Sequence, residues 1–406
     1  MPANPGNFSR RRRVALILSL GLLTGLGPFT IDLYLPAFPS LTKELTLAPG
    51  QVQLTLAATI GGFAVGQLLV GPMSDRLGRR WPLVAMSALH VGATMAVALA
   101  PNLAVLAAVR LIQGFAAAGG AVVALAMARD MFNGAALLRM LSRLALISGL
   151  APILAPLIGS WLVTFTDWRG VFWWLAAYSL LVLLLAALVL AETHAPADRI
   201  AGSWRNLAAS YRQVFADRTF VGALLVLMFS FAGLFAYVSS VSTVFQGGYG
   251  LSPQAFGGVF ATASVGVFLG VQVGSRVGAR FGSPVLLIVG TAGLVLAAAW
   301  LLVTELAVDA PVALVPPIFC YTFSYGAVAP NSNVTALARH QSHAGTAASI
   351  LGAGTMTAGA IAALLVGSLP LHDATAMAGT MLGSGLLASA SLWLVLRPRQ
   401  LRLPTD

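Results

Sequence analysis

Long apolar runs separated by short polar breaks follow one another from Val14 to Leu396. Each run is about 17 to 25 residues long, enough to cross a hydrocarbon core of about 30 Å as a helix. The pattern predicts twelve spans, at 14–36, 51–72, 82–100, 103–128, 137–163, 170–191, 219–241, 253–275, 284–304, 309–332, 344–368 and 374–396. Its longest polar break, Glu192 to Arg218, parts six spans from six. The expected fold is therefore an all-α membrane protein of twelve transmembrane helices in two six-helix bundles. Residues 1–191 form the N-terminal bundle, 192–218 a cytoplasmic linker and 219–406 the C-terminal bundle. An amphipathic helix around Trp204 to Phe215 would lie on the membrane within that linker.

Composition agrees with the pattern. Of 406 residues 58% are hydrophobic and only 9% charged, against about 25% charged in an ordinary soluble domain. The basic residues give a direction, since Lys and Arg are retained in short cytoplasmic loops. With the amino terminus inside, 20 of 23 basic residues fall on the cytoplasmic side, Lys43 and Arg169 fall outside, and Arg110 lies within a span. Both termini are then cytoplasmic. The net charge of +11 suits anionic lipid headgroups. Nucleic-acid binding is excluded because the basic residues are scattered over short loops. The first apolar run is too long for a signal peptide and reads as a retained helix. A lone cysteine, Cys320, excludes an intrachain disulfide.

Of the 12 acids, five fall outside and six inside, which leaves Asp32 in an apolar run, "GLGPFTIDLYLPAFP". A charge at bilayer depth costs about 2.5 to 3.5 kcal/mol and often marks an ion pathway. Solvation near the outer interface is the other reading of Asp32. Arg110 begins about two turns into the fourth span among apolar neighbours. It either snorkels to the outer end or shares a cavity with Asp32, where the cation favours the ionised carboxylate and apolar surroundings the protonated acid. A group so balanced couples proton binding to substrate release.

The second half echoes the first. Adding 204 carries Gly62 and Gly66 onto Gly266 and Gly270, and "DRLGRR" (Asp75 to Arg80) onto "ARFGSP" (Ala279 to Pro284). A half-chain repeat is the mark of a two-bundle secondary transporter. Asp32 and Arg110 map onto Ala236 and Leu314, so the ionic chemistry belongs to the first half. The seventh span, "FSFAGLFAYVSSVSTVF", offers aromatic and hydroxyl groups instead.

Three further segments stand out. In "GPMSDRLGRRWPL" the positive-inside rule explains the arginines but not Asp75, which could pair with Arg129 or face a helix amino terminus and so latch one conformation. "GLAPILAPLIGSWL" puts Ala151, Ala155 and Gly159 four apart on one face, with Pro152 and Pro156 beside it, for close helix packing and a kink. "APNSNVTALARHQSHAGTAASILGAG" carries two asparagines, and His340 and His343 read as loop residues. The single lysine, Lys43, follows no glycine-rich loop, so there is no Walker-type ATP site, and no catalytic or metal-ligand constellation is present.

Taken together these segments resemble the major facilitator superfamily, within it the drug/proton antiporters of the bicyclomycin and chloramphenicol resistance (Bcr/CflA) branch. "TIDLYLPAFP" resembles that branch's first-helix signature, Gly71 to Arg80 its loop motif, "RLIQGFAAAGGA" its fourth-helix motif and "LAPILAPLIGSWL" its antiporter motif. "WRGVFWWLA", "FSFAGLFAYVS" and "AGTAASILG" are similar to further segments. The resemblance implies alternating access, a central drug cavity and energy from the proton gradient with no cofactor. It makes Asp32 the proton and substrate carboxylate and Arg110 its modulator. Tyr34, Gln113 and Tyr237 become cavity residues, while Asp75, Arg76, Gly78, Arg79 and Arg129 serve the gate. Ala155, Pro156 and Gly159 form the hinge of a leak-resistant interface. Ala155 replaces the antiporter motif's first glycine and Ser160 its last. Thr24 stands where some related antiporters carry a second acid, which weighs against exchange of more than one proton per cycle or of dicationic drugs.

The expected function is a proton-driven exporter of amphipathic drugs in the bacterial inner membrane, acting as a monomer. The alternative keeps the fold and carries a small metabolite such as an amino-acid derivative or a sugar. A membrane receptor or scaffold is the third reading, and it has no use for Asp32 and Arg110 at that depth.

Overall fold

In a computed structural model, residues 10–195, 204–340, 344–369 and 373–398 are described, and all their regular structure is helical. The helices are α1 (Arg10–Asp32), α2 (Phe38–Glu44), α3 (Val52–Leu77), α4 (Arg80–Ala98), α5 (Leu103–Met131), α6 (Gly134–Leu162) and α7 (Trp168–Leu188). There follow α8 (Trp204–Ala216), α9 (Arg218–Ser242), α10 (Pro253–Phe281), α11 (Ser283–Ala307), α12 (Pro311–Leu337), α13 (Ala344–Ser368) and α14 (Asp373–Ala390). Among the described residues twelve spans are long and apolar enough to cross a membrane. Asp198, Arg199, His343, Arg399, Arg402 and Asp406 lie outside the described residues.

Helix starts follow local chemistry. Asn102 accepts from the Val105 N–H at 3.0 Å, Asp167 from Gly170 at 2.9 Å and Asp217 from Thr219 at 2.8 Å, satisfying donors that α5, α7 and α9 leave open. The helices also outrun the apolar runs. α10 continues to Phe281, beyond the predicted 275, because backbone bonding goes on where the polar end begins. α6 passes through Pro152 and Pro156 without interruption.

The first predicted span needs a correction. Instead of one helix over 14–36, α1 ends at Asp32, a 3-10 turn covers Leu35–Ala37, and α2 starts at Phe38. Pro36 and Pro39 explain the break, since each lacks an N–H and disfavours helical geometry in the residue before it. Asp32 therefore sits at a helix terminus, not inside an unbroken span.

The chain forms two compact units. One holds α1, α2, most of α3 and α4 to α7, and the other holds Leu47–Ala57 with α8 to α14. In the first, Leu16, Leu20 and Leu23 of α1 pack in one cluster with Val70, Leu83, Val123, Met127, Leu144 and Val182. Between membrane helices close contact takes over from the hydrophobic effect. A Cβ on Gly62 would lie 2.0 Å from the Leu111 carbonyl oxygen of α5, and one on Gly270 2.1 Å from the Phe323 oxygen of α12. So α3 crosses α5 in the first unit as α10 crosses α12 in the second. The 204-residue echo also reaches the turns, where Gly78 and Gly282 have φ of 92° and 87°, a region that favours glycine.

Candidate functional site

Asp32 is 6% exposed, and among the described residues its carboxyl group has no hydrogen bond and no ion pair. It closes α1, where a helix presents the negative end of its dipole.

Arg110 projects from α5 and is wholly buried. Its Nη1 donates to the Thr30 carbonyl at 3.0 Å and to Gln113 Oε1 at 2.7 Å. The Thr30 carbonyl lies in the last turn of α1, where helical donors run out, and the guanidinium supplies one. Its Cζ stands 4.1 Å from the Tyr34 ring centroid and 5.4 Å from that of Phe172. Nε and Nη2 have no hydrogen-bond acceptor among the described residues. Arg110 therefore does not snorkel, because its head is enclosed by aromatic rings and helix backbone. Nor does it pair with Asp32; the two meet only through Thr30, two residues earlier on α1.

The network extends from there. Gln113 Nε2 donates to Thr94 Oγ1 at 2.8 Å, so both ends of the amide are engaged inside the unit. His90 Nε2 lies 2.9 Å from Thr30 Oγ1, and its Nδ1 lies 2.9 Å from Ser179 Oγ and 3.3 Å from Thr94 Oγ1. Four helices thus share one polar cluster. His90, Thr30, Thr94 and Ser179 were missed in the sequence because one polar residue in a span carries no sign of its partner.

Beside it, α6 comes very close. A Cβ on Gly159 would lie 2.0 Å from the Leu33 carbonyl oxygen and 3.3 Å from Pro36 Cγ. Ala155 and Pro156 are buried on the same helix. The antiporter-like segment therefore packs against the residue that follows Asp32. Tyr34 is 2% exposed and packs on Phe38 and Phe172, 5.2 and 5.3 Å away. In the second unit Tyr237 is buried and stacks on Phe260 at 5.9 Å, and Asn331 ties α12 to α10 by donating to the Gly274 carbonyl at 3.2 Å.

At the Gly78 end, the hub is Arg79. It contacts the Asp75 carboxylate through Nη1, donates to Ser74 Oγ at 2.8 Å, and reaches Asp130 Oδ2 through Nε at 2.9 Å. Burial lowers the basicity of this guanidinium, but the hydrogen bonds and charges of Asp130 and Asp75 outweigh it and hold its pKa above the ordinary value. The expected Asp75–Arg129 pair is corrected. Arg129 is exposed without an ion pair among the described residues, while Asp130, about 100° further round the helix, points at Arg79. Arg76 is half-buried in the last turn of α3.

Glu192, at the start of the polar break between the two halves, belongs here too. Its carboxylate accepts from the N–H groups of Arg79 at 2.8 Å and Arg80 at 3.2 Å, at the start of α4. Burial pushes Glu192 up, but backbone N–H donors from His194, Arg79, Arg80 and Thr193 hold it below the usual carboxylate range. At the other end Glu44 of α2 accepts from Trp168 Nε1 at 2.7 Å and pairs with Arg169 at 3.0 Å, and Arg169 also donates to the Ala98 and Ala100 carbonyls. Sequence alone placed Glu44 and Arg169 outside without linking them.

Residues 20–364 match the Major Facilitator Superfamily. The chain belongs to that superfamily. It is 35% identical over 374 residues to the MFS-type transporter YdgK of Bacillus subtilis, covering 91% of this chain and 92% of that one. It is 33% identical over 391 residues to a bicyclomycin resistance protein homologue of Haemophilus influenzae, covering 95% and 97%. The fold is similar to that of a bacterial homologue of the human lysosomal transporter Spinster, solved in an inward-facing and occupied conformation, at a TM-score of 0.78, 15% identity and 98% and 100% coverage. This superfamily member is a multi-pass membrane transporter of the Bcr/CflA branch, related to drug-resistance efflux proteins, and not an enzyme.

Proposed function

We propose that this transporter is a proton-driven antiporter that exports amphipathic drugs of the chloramphenicol and bicyclomycin kind across the bacterial inner membrane by alternating access. The reading sets both termini in the cytoplasm, on the strength of the arginine distribution, and takes residues 1–191 and 219–406 as the two moving bundles. The observation that carries it is Asp32, a buried carboxyl without a partner among the described residues, two positions from the carbonyl that holds a buried arginine with idle donors.

Asp32 binds a proton from one side and releases it to the other as drug is exchanged. Deprotonation leaves an anion two residues from the carbonyl that Arg110 holds, and Nε and Nη2 of that guanidinium form the parallel edge that suits a carboxylate. In the protonated state that edge is idle and the guanidinium stays on the Thr30 carbonyl. Tyr34 and Gln113 act by holding Arg110, and Tyr237 is left as the cavity aromatic of the second half. Arg79, with Asp75 and Asp130, latches the cytoplasmic end of the first bundle, and Gly78 supplies the turn that brings them together. Gly159, Ala155 and Pro156 keep the interface beside Asp32 tight against proton leak.

The test is drug susceptibility of a pump-deleted bacterium carrying wild type or Asp32→Asn at equal membrane levels, with chloramphenicol, bicyclomycin and cationic dyes. Resistance in the wild type that vanishes in Asp32→Asn is expected, and a variant that still builds a drug gradient in energised vesicles overturns the proton role. Resistance to none of the compounds moves the substrate to a small metabolite.

A further inference from the structure

Nothing in this transport scheme uses His90. The residue lies in the middle of α4, is wholly enclosed, and is the point where α1, α4 and α7 join, through Thr30 on one ring nitrogen and Ser179 on the other. A leucine would fill a similar volume without the desolvation of an imidazole, so the gain from this histidine is positional. Thr30 donates to the Leu26 carbonyl at 2.7 Å and so accepts from the Nε2–H of the neutral ring, which leaves Nδ1 bare to accept from Ser179, a hydroxyl that also lies 2.7 Å from the Leu175 carbonyl. The ring is thereby tied to helix backbone on both sides. Such a satisfied polar network fixes one arrangement of the helices that share it.

We propose that His90 is a positioning residue that keeps Arg110 on the Thr30 carbonyl and away from the Asp32 carboxylate. One arm fixes the last turn of α1 through Thr30, the residue that also accepts from Arg110. The other arm runs through Thr94 to Gln113, which holds the same Nη1. Without the imidazole both anchors loosen. A guanidinium with two idle donors, freed from Thr30, is then drawn toward the carboxylate two residues further along the same chain, as attraction in a low-dielectric interior favours.

The groups that face this region are few. Arg110 comes from α5, Tyr34 from the turn after α1, and Tyr178 of α7 donates to the Leu22 carbonyl at 2.8 Å. α3 and α6 pack on α1 at Gly27 and Leu33, but their charged residues Asp75, Arg76, Arg139 and Arg143 sit at the opposite ends of those helices. The proposal rests on the proton-coupling reading of Asp32, and its test uses no drug.

Purified full-length protein in lipid nanodiscs is titrated while the infrared band of the protonated carboxyl is followed, with Asp32→Asn identifying the band. His90→Leu is expected to titrate about one pH unit lower than wild type, a tenfold change in proton affinity and the low end of what a cation brought alongside a carboxylate produces. His90→Gln, whose amide still reaches Thr30 or Ser179, is expected to follow wild type. In an Arg110→Ala background His90→Leu should shift nothing, because its effect passes through that guanidinium. A folded His90→Leu that titrates as wild type overturns the proposal, and so does a shift that persists without Arg110. If His90→Leu does not fold, Thr30→Val removes the α1 arm alone while leaving the Thr30 carbonyl in place; a shift in the same direction supports the proposal and no shift overturns it. Failure of the coupling reading shows separately, as a drug gradient retained by Asp32→Asn.

Discussion

Gly159→Ala tests whether the tight contact beside Asp32 matters. Two effects compete. Alanine in a helix interior gains about 0.8–1.0 kcal/mol over glycine. Against this, the new Cβ would lie 2.0 Å from the Leu33 carbonyl oxygen and 3.0 Å from its carbon. A normal contact requires α6 and the end of α1 to part by at least about 1 Å, and backbone, unlike a flexible side-chain tip, cannot turn aside. Overpacking of this kind costs about 1–3 kcal/mol, so the clash wins. Gly61 on α3 is the control, since nothing lies within 4 Å of its would-be Cβ. Thermal unfolding of detergent-solubilised protein should show Gly61→Ala at or above the wild-type melting temperature and Gly159→Ala below it. Because Leu33 follows Asp32 directly, proton-driven drug accumulation should fall in Gly159→Ala and not in Gly61→Ala. A Gly159→Ala protein that melts with Gly61→Ala and pumps normally would refute the argument from close approach.

Two further outcomes concern the Arg79 end. Arg79→Ala leaves Asp75 and Asp130 without their cation; with Arg79 at 7% exposure the loss should be about 2–3 kcal/mol, below the usual 3–5 for a buried pair because Asp75 is partly solvated. Asp75→Asn should cost less than about 1 kcal/mol, and equal melting of the two variants would contradict the hub. For Glu192, a native carboxyl held below its ordinary value of 4.5 stabilises the fold above that pH, and the contribution disappears as pH falls through the lower native value. Glu192→Gln should therefore melt lower than wild type at neutral pH and converge with it in acid, and a gap that stays constant with pH would rule out the charged cap.

How much of this was legible in the sequence depended on whether a residue carried its own signal. The twelve spans were legible because apolar runs of membrane length have no other use, and Asp32 and Arg110 were because a charge in such a run is costly wherever it points. The break after Asp32 was hidden by the apolar residues that follow it, although Pro36 and Pro39 were the available sign. Pairing was harder. His90 meets Thr30 and Ser179, 60 and 89 residues away, and no spacing rule connects them. The sequence offered Arg129 as a partner for Asp75 because opposite charge can be read there, while the rotation of α5 that turns Asp130 toward Arg79 cannot.

The same distinction bears on mechanism. Sequence gives this chain one acid at membrane depth and therefore one obvious proton carrier. The fold adds a neutral cluster of hydroxyl, amide and imidazole groups that holds the neighbouring cation in place. If that cluster sets how readily Asp32 gives up its proton, coupling is tuned by residues that carry no charge, and an alanine scan limited to acids and bases would pass over Thr30, Thr94 and Ser179. Thr94→Val is the sharpest case, because it removes the acceptor of Gln113 while leaving helix shape and volume nearly unchanged. It should reproduce the His90→Leu titration at a stability cost of about 1–3 kcal/mol for the stranded Gln113 donor, and an unchanged titration would detach the amide arm from the control of Arg110.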